Sequence, residues 1–174
     1  MPTFVLNNST FNSTRFNALG TVYLNASTLT GNIGTSDSGY WQWPLYGGYV
    51  NVSGSAPSYM SGTGTSAGYP LRNPTVFDVA NVTGNSADDL IVSAPLRSGG
   101  SGIGGTGGLI KTGAGTMLVD ATATYTGTTI VSNGVLAIGP SGSLGTSSSL
   151  IVLSGATLDV SALGTLTLSP QTLG

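Results

Sequence analysis

Residues 107–138 read GGLIKTGAGTMLVDATATYTGTTIVSNGVLAI, and this segment carries the clearest indication of the fold. It contains four short pieces in which apolar and polar residues alternate, and glycines separate them: 109–111, 116–120, 129–131 and 135–138. Alternation with a period of two indicates strands that bury one face. Glycine supplies the positive φ that tight corners need. The stretch therefore predicts four strands joined by sharp turns.

A glycine followed by a strand recurs along the chain. After Gly115 and after Gly134, the second and fourth residues are apolar, and the steps from Gly115 to Gly134 and from Gly134 to Gly155 are 19 and 21 residues. A repeat of about 20 residues made only of strands and turns is typical of one coil of a parallel β-helix, in which stacked coils bury each other's apolar rows. The predicted inward row contains Met117, Val119, Leu136, Ile138, Leu158 and Val160.

Residues 108–138 resemble a known family, the autotransporter-associated β-strand repeat, which is also called the passenger-associated transport repeat. The chain matches the family pattern at Gly108, Leu109, Lys111, Gly113, Gly115, Thr116, Thr124, Tyr125, Gly127, Thr129, Val131, Gly134 and Leu136. It departs from the pattern at Met117, Ala121, Ala123 and Ile130. The resemblance implies a secreted β-helix displayed on a cell surface. It implies no catalytic residues, because the family pattern contains none.

Composition narrows the class of protein. Only 6% of the residues are charged, against about a quarter in an average protein, and Glu, His and Cys do not occur. The formal net charge of −2 gives nucleic acid or anionic lipid nothing to bind. The longest aliphatic run is 150–153, so we expect no membrane-inserting segment. Residues 1–3 do not read as a signal peptide, so an exported protein would be a mature form or a segment of a longer chain.

The whole sequence predicts an all-β protein with the fold of a right-handed parallel β-helix, or a closely related β-solenoid. Residues 1–36 are expected to form N-terminal strands that act as a cap or a donor strand. Residues 37–74 are rich in glycine and aromatic residues and are expected to form an inserted loop in the N-terminal half. Residues 75–174 are expected to form the coils that contain the repeat at 108–138.

Five aromatic residues cluster near the start of this expected insertion: Tyr40, Trp41, Trp43, Tyr46 and Tyr49. Three interpretations stay open for them. They cover an end or side of the β-helix, they contact another chain, or they stack on sugar rings. We therefore treat them as the candidate contact site for a partner or a glycan.

The sequence contains few of the residue types that enzymes commonly use for catalysis. Histidine-dependent triads and most zinc sites are excluded, because there is no His and no Cys. The acidic residues are six aspartates, of which Asp88 and Asp89 are adjacent. This pair could hold a cation with a neighbouring coil, but a solvated pair in a polar turn is the favoured interpretation, and no EF-hand loop is present. We predict a protein that is not an enzyme and has no catalytic residue, cofactor or metal site.

These observations favour a structural, stalk-like or adhesin-like module in the extracellular space or on the cell surface. Its expected partners are other copies of itself or a longer parent chain. End-to-end assembly into a filament would use strand addition at Phe4, Val5 and Leu6 and at Leu166 and Leu168. A carbohydrate-binding module that uses the aromatic cluster is the alternative, and a polysaccharide-active enzyme is less favoured.

Overall fold

The structure is a computed structural model, and it describes residues 3–13, 19–32, 45–46, 48–63, 68–72, 74–98, 106–146, 149–166 and 172–173. The elements assigned within these residues are all β-strands. None of the described residues forms a helix long and apolar enough to cross a membrane. The strands are β1 (Phe4–Asn7), β2 (Thr10–Ser13), β3 (Val22–Asn25), β4 (Thr28–Asn32), β5 (Tyr49–Ser53), β6 (Ser58–Thr63), β7 (Tyr69–Leu71), β8 (Thr75–Val79), β9 (Asp88–Val92), β10 (Leu96–Ser98), β11 (Leu109–Thr112), β12 (Thr116–Val119), β13 (Thr129–Val131), β14 (Val135–Ile138), β15 (Ser149–Val152), β16 (Thr157–Asp159) and β17 (Thr172–Leu173).

The strands form two long parallel sheets. The first has eight strands in the order β1-β3-β5-β8-β11-β13-β15-β17, and the second has seven in the order β16-β14-β12-β9-β6-β4-β2. Apart from β7 and β10, which pair with each other, successive strands of the chain alternate between these sheets. Each turn of the chain therefore adds one strand to each sheet. The predicted all-β, parallel architecture is confirmed, and it is β-helix-like.

The strand register stacks inward-facing side chains into rows along both sheets. The first row runs through Phe4, Val22, Val50, Phe77, Lys111, Val131 and Val152. The second row runs through Phe11, Leu29, Met60, Val92, Val119 and Ile138. Side chains in the middle of each row are 0–1% exposed. Each buried aliphatic side chain contributes roughly 1.5–3 kcal/mol relative to its exposed state, so these rows hold the coils together.

The predicted inward residues divide into two groups. Met117, Val119, Leu136 and Ile138 are buried as expected. Leu158 and Val160 are partly buried and pack against the core near its C-terminal end. The four strands predicted within residues 107–138 are confirmed as β11, β12, β13 and β14.

Glycine shapes the corner between β13 and β14. Gly134 has a φ of +67°, which side chains other than hydrogen rarely allow. A Cβ atom placed there would lie 2.5 Å from the carbonyl oxygens of Gly113 and Gly115 in the preceding corner. The corners of successive coils therefore stack so closely that glycine is required.

The inserted loop predicted for residues 37–74 is not supported by the part of it that the structure describes. Strands β5 and β6 occupy regular places in the two long sheets, and their Val50, Val52 and Met60 side chains face the core. The glycines and serines around them make corners instead of an excursion from the stack. The aromatic residues and the Gly/Ser-rich segments around these two strands led to the prediction of an insertion, although Val50 and Val52 after Gly48 follow the same alternation as the other strands.

Candidate functional site

The described part of the aromatic cluster lies on and beside the first sheet. Tyr40, Trp41 and Trp43 lie outside the described residues. Tyr46 is partly buried, and the Cζ atom of Arg72 lies 5.7 Å from the centre of its ring, in cation–π range. Tyr49 is at the start of β5, and its ring centre is 6.4 Å from that of Tyr23, with the rings tilted by 60°.

Polar groups surround Tyr49 on the outward face of the first sheet. Register places Asn51 beside both Tyr23 and Asp78. The Tyr49 hydroxyl donates to Asp78 Oδ2 at 2.8 Å, and Asn51 Nδ2 donates to the same oxygen at 3.2 Å. The hydrogen bond to Asp78 is the main cause that raises the pKa of Tyr49, with burial second. The tyrosine is therefore a neutral hydrogen-bond donor at ordinary pH.

We call Tyr23, Tyr49, Asn51 and Asp78 the tyrosine–aspartate patch. Tyr23 is 40% exposed, so a ligand can reach its ring. Aromatic faces beside amide and carboxylate groups suit the C–H faces and hydroxyls of a sugar. Sequence reasoning found Tyr49 but missed Tyr23, Asn51 and Asp78. The signal that could have found them is their common outward position in strands predicted to stack.

A cleft of about 470 Å³ lies on the outward face of the second sheet, beside the turn that precedes β9. Its lining includes Asn81, Asn85 and the carboxyl groups of Asp88 and Asp159. Burial raises the pKa of Asp88, and the negative charges of Asp89 and Asp159 add to this effect. Hydrogen bonds from Ser161 lower the pKa of Asp159, and the Ser161 N–H donates to its Oδ1 at 2.9 Å. Across the described ranges, no three side chains of the metal-ligating acidic, His or Cys types lie together.

The sequence context suggested that Asp88 and Asp89 form a solvated pair. This prediction is wrong for Asp89, because its side chain is fully buried. Its Oδ1 atom accepts hydrogen bonds from the backbone N–H groups of Val82 at 2.8 Å and Thr83 at 2.9 Å. Its Oδ2 atom accepts one from the Thr116 N–H at 2.7 Å. Asp89 therefore fixes the turn before β9 and joins that coil to the next one.

Lys111 is also fully buried, at an inward position in an otherwise apolar row. Its Nζ atom donates to the backbone carbonyls of Thr112 at 2.7 Å, Gly113 at 2.9 Å and Asn133 at 3.2 Å. Burial lowers its pKa to about 8, against the opposing influence of the Asp78 and Asp89 carboxylates. Lys111 thus satisfies carbonyl groups of two stacked corners. Lys111 is two residues after Leu109, so the period-two alternation of a strand places both side chains on the same, inward face.

Four of the five residues predicted for strand addition lie within the described residues. Phe4, Val5 and Leu6 are in β1, the edge strand of the first sheet. Leu166 is partly buried and lies outside the strands, and Leu168 lies outside the described residues.

No family model, curated protein or solved structure gives a significant match to this chain. The fold class that the coordinates define is an all-β, β-helix-like stack of parallel strands. The likeness to the autotransporter-associated repeat rests on the sequence, chiefly on residues 108–138.

Proposed function

We propose that this chain is a structural module of an extracellular or cell-surface protein, a stalk-like or adhesin-like segment built as a right-handed parallel β-helix. The observation that carries the proposal is the pair of inward rows, of which the first spans seven strands from β1 to β15 and the second spans six strands from β2 to β14. A stack of this kind is stiff along its axis because every coil is buried by its neighbours.

The surface of the stack supports the same role. The sequence is rich in Gly, Ser, Thr and Asn and contains six acidic and four basic residues among 174. Such a chain has a long, weakly charged surface, and a structural role does not require a binding pocket. The residues of 108–138 that resemble the passenger-associated transport repeat favour display outside the cell.

Surface display is tested by protease treatment and antibody labelling of intact cells that produce the protein. We expect the antibody to label intact cells and the protease to remove that label. Labelling that appears only after the cells are permeabilised would contradict the proposal.

A second candidate function is glycan binding at the tyrosine–aspartate patch. The observation that favours it is the exposed Tyr23 ring beside Tyr49, with the Asp78 carboxylate on the neighbouring strand β8 accepting a hydrogen bond from Tyr49. Neutral sugars fit this patch better than acidic ones, because Asp78 would repel a carboxylate or sulfate group.

A glycan array with matched variants tests this second function. We expect neutral glycans bound by the wild type to be lost in Tyr23→Ala and Asp78→Ala. Tyr59→Ala is the control, since Tyr59 is 44% exposed on the other sheet and lies outside the patch. Trp41→Ala and Trp43→Ala test the contribution of the undescribed part of the cluster. A wild type that binds no glycan, or a Tyr59→Ala loss equal to that of Tyr23→Ala, would argue against the patch.

A further inference from the structure

Asn133 and Gly134 lie in the corner between β13 and β14, and they are the only asparagine-glycine pair in the sequence. The Asn133 side chain is exposed. The Gly134 N–H donates to Asn133 Oδ1 at 2.8 Å, and no backbone carbonyl of the described residues accepts this N–H. Because Oδ1 is bonded to Cγ, the Gly134 nitrogen lies in contact with the carbon of the side-chain amide.

The main chain holds this nitrogen in place from both sides. The Ser132 N–H donates to the carbonyl of Lys111 at 2.9 Å, and the Val135 N–H donates to the carbonyl of Gly115 at 3.2 Å. The corner is therefore fixed to the preceding coil immediately before and after the asparagine-glycine pair.

A nitrogen and an amide carbon in this arrangement are a reactant pair. A main-chain nitrogen that reaches the Cγ atom of the preceding asparagine can close a succinimide ring. Glycine leaves this nitrogen unhindered, because no Cβ atom stands beside it. Groups that a fold holds about 3–3.5 Å apart react faster than free groups, since the entropy of bringing them together is already lost.

We infer that the corner at Asn133 and Gly134 is a site of spontaneous covalent modification, at which the folded chain converts asparagine to isoaspartate. The Gly134 nitrogen loses its proton to hydroxide, and its electron pair forms a bond to Cγ. The bond from Cγ to the side-chain nitrogen breaks, and this nitrogen takes a proton from water and leaves as ammonia. Water then adds to the Asn133 carbonyl carbon, the bond from that carbon to the Gly134 nitrogen breaks, and a carboxylate remains on that carbon. The main chain now runs through Cβ and Cγ, with water consumed and ammonia released.

Lys111 favours isoaspartate over aspartate as the product. Its Nζ atom donates to the Asn133 carbonyl oxygen at 3.2 Å, and negative charge develops on this oxygen when water adds to the carbon that carries it. Attack of water on Cγ, the other carbonyl carbon of the ring, would give aspartate. The carboxylate of isoaspartate also stays beside the buried ammonium group of Lys111, which then has a counter-charge.

Asn85 provides a matched comparison, since it is also exposed and lies in a turn. Its Oδ1 atom accepts from the Ala87 N–H at 2.7 Å, so its amide is bound to the nitrogen two residues on instead of the nitrogen of Ser86. The exposed Ser86 can be replaced, and Ser86→Gly gives the same molecule a second asparagine-glycine pair that differs in geometry.

Peptide mass spectrometry follows both pairs in the Ser86→Gly chain, folded and in urea, and Asn133→Gln is the control for the assignment of the modified peptide. In the folded chain we expect conversion at Asn133 to be at least about tenfold faster than at Asn85, because a misplacement of about 1 Å can cost about a hundredfold in rate. In urea we expect similar rates at the two pairs. In the wild type we expect Asn133 to convert faster in the folded chain than in urea, and with a larger share of isoaspartate.

Equal rates at the two pairs of the folded Ser86→Gly chain would overturn the inference. Slower conversion of Asn133 in the folded wild type than in urea would overturn it without any variant. The same share of isoaspartate in the folded and the unfolded wild type would exclude the part assigned to Lys111.

Discussion

At the scale of single residues, two buried charged groups hold the corners of the stack. Lys111 satisfies carbonyl oxygens, and Asp89 satisfies N–H groups. Both act on backbone groups that the corners remove from water, where an unsatisfied hydrogen-bonding group is costly. These charged side chains therefore have structural roles in a chain with few charges.

Replacement of Asp89 should be far more harmful than replacement of its neighbour. Asp89→Ala leaves the N–H groups of Val82, Thr83 and Thr116 without their acceptor, and we expect a loss of at least about 3 kcal/mol in the free energy of unfolding. Asp88→Ala is the control, because Asp88 lies in the cleft and its charge is already disfavoured there. Chemical denaturation measures both. Equal losses in the two variants would contradict the assignment.

Lys111 should make stability depend on alkaline pH. Its pKa is about 8 in the folded chain and 10.5 without the surrounding fold. Between these values the unfolded chain binds more protons, so raising the pH through this window increases the free energy of unfolding. Relative to Lys111→Met, the wild type should gain up to about 3 kcal/mol from pH 8 to pH 10.5.

Denaturation curves of both proteins across this pH range test the prediction. Tyr49 and Tyr69 have raised pKa values, so their ionisation at higher pH destabilises the folded chain. Both proteins contain these tyrosines, and the difference between the two denaturation series removes their effect. If the difference in free energy of unfolding between the wild type and Lys111→Met did not change with pH, the desolvation of Lys111 seen in the structure would be contradicted.

At the scale of strands and corners, the glycines mark where successive coils touch. Gly134 and Gly155 both have positive φ, but a Cβ atom added at Gly134 would meet backbone atoms of the preceding corner, whereas one added at Gly155 would meet nothing within 4 Å. Gly155→Ala should cost about 1–2 kcal/mol from backbone strain alone. Gly134→Ala should cost about 1–3 kcal/mol more, because the methyl group meets the corner beneath it. Thermal unfolding of the two variants separates the cost of backbone strain from the cost of the contact between corners. Similar losses of stability in Gly134→Ala and Gly155→Ala would contradict close contact between successive corners.

Much of the fold was predictable from these short elements. The strands of 107–138 follow from alternation and glycine spacing, and both remain visible because every coil there is nearly the same length. Strands β5 and β6 were assigned to an insertion, since the tyrosines around them suggested a break in the repeat. The burial of Asp89 was also missed, because three of its hydrogen-bond donors are backbone N–H groups, which leave no trace in a sequence pattern. Tyr23 and Asp78 meet Tyr49 only through strand register, which depends on the lengths of the intervening turns.

At the scale of the whole molecule, everything proposed depends on the parallel stacking of coils. The outward residues Tyr59, Ile91, Leu118, Ala137 and Asp159 lie in register on five neighbouring strands of the second sheet. Residues that are far apart in the sequence are therefore close in space, and the distance between them is set by the number of strands between them.

Dipolar electron paramagnetic resonance between spin labels at residues 59 and 159 tests this stacking most directly. The chain has no cysteine, so Tyr59→Cys and Asp159→Cys supply the only two labelling sites. Four strand spacings of about 4.8 Å separate these positions, which gives a backbone separation of about 19 Å. A narrow distribution centred within a few ångströms of that value is the expected result. A broad distribution, or one centred beyond about 35 Å, would contradict the parallel stack.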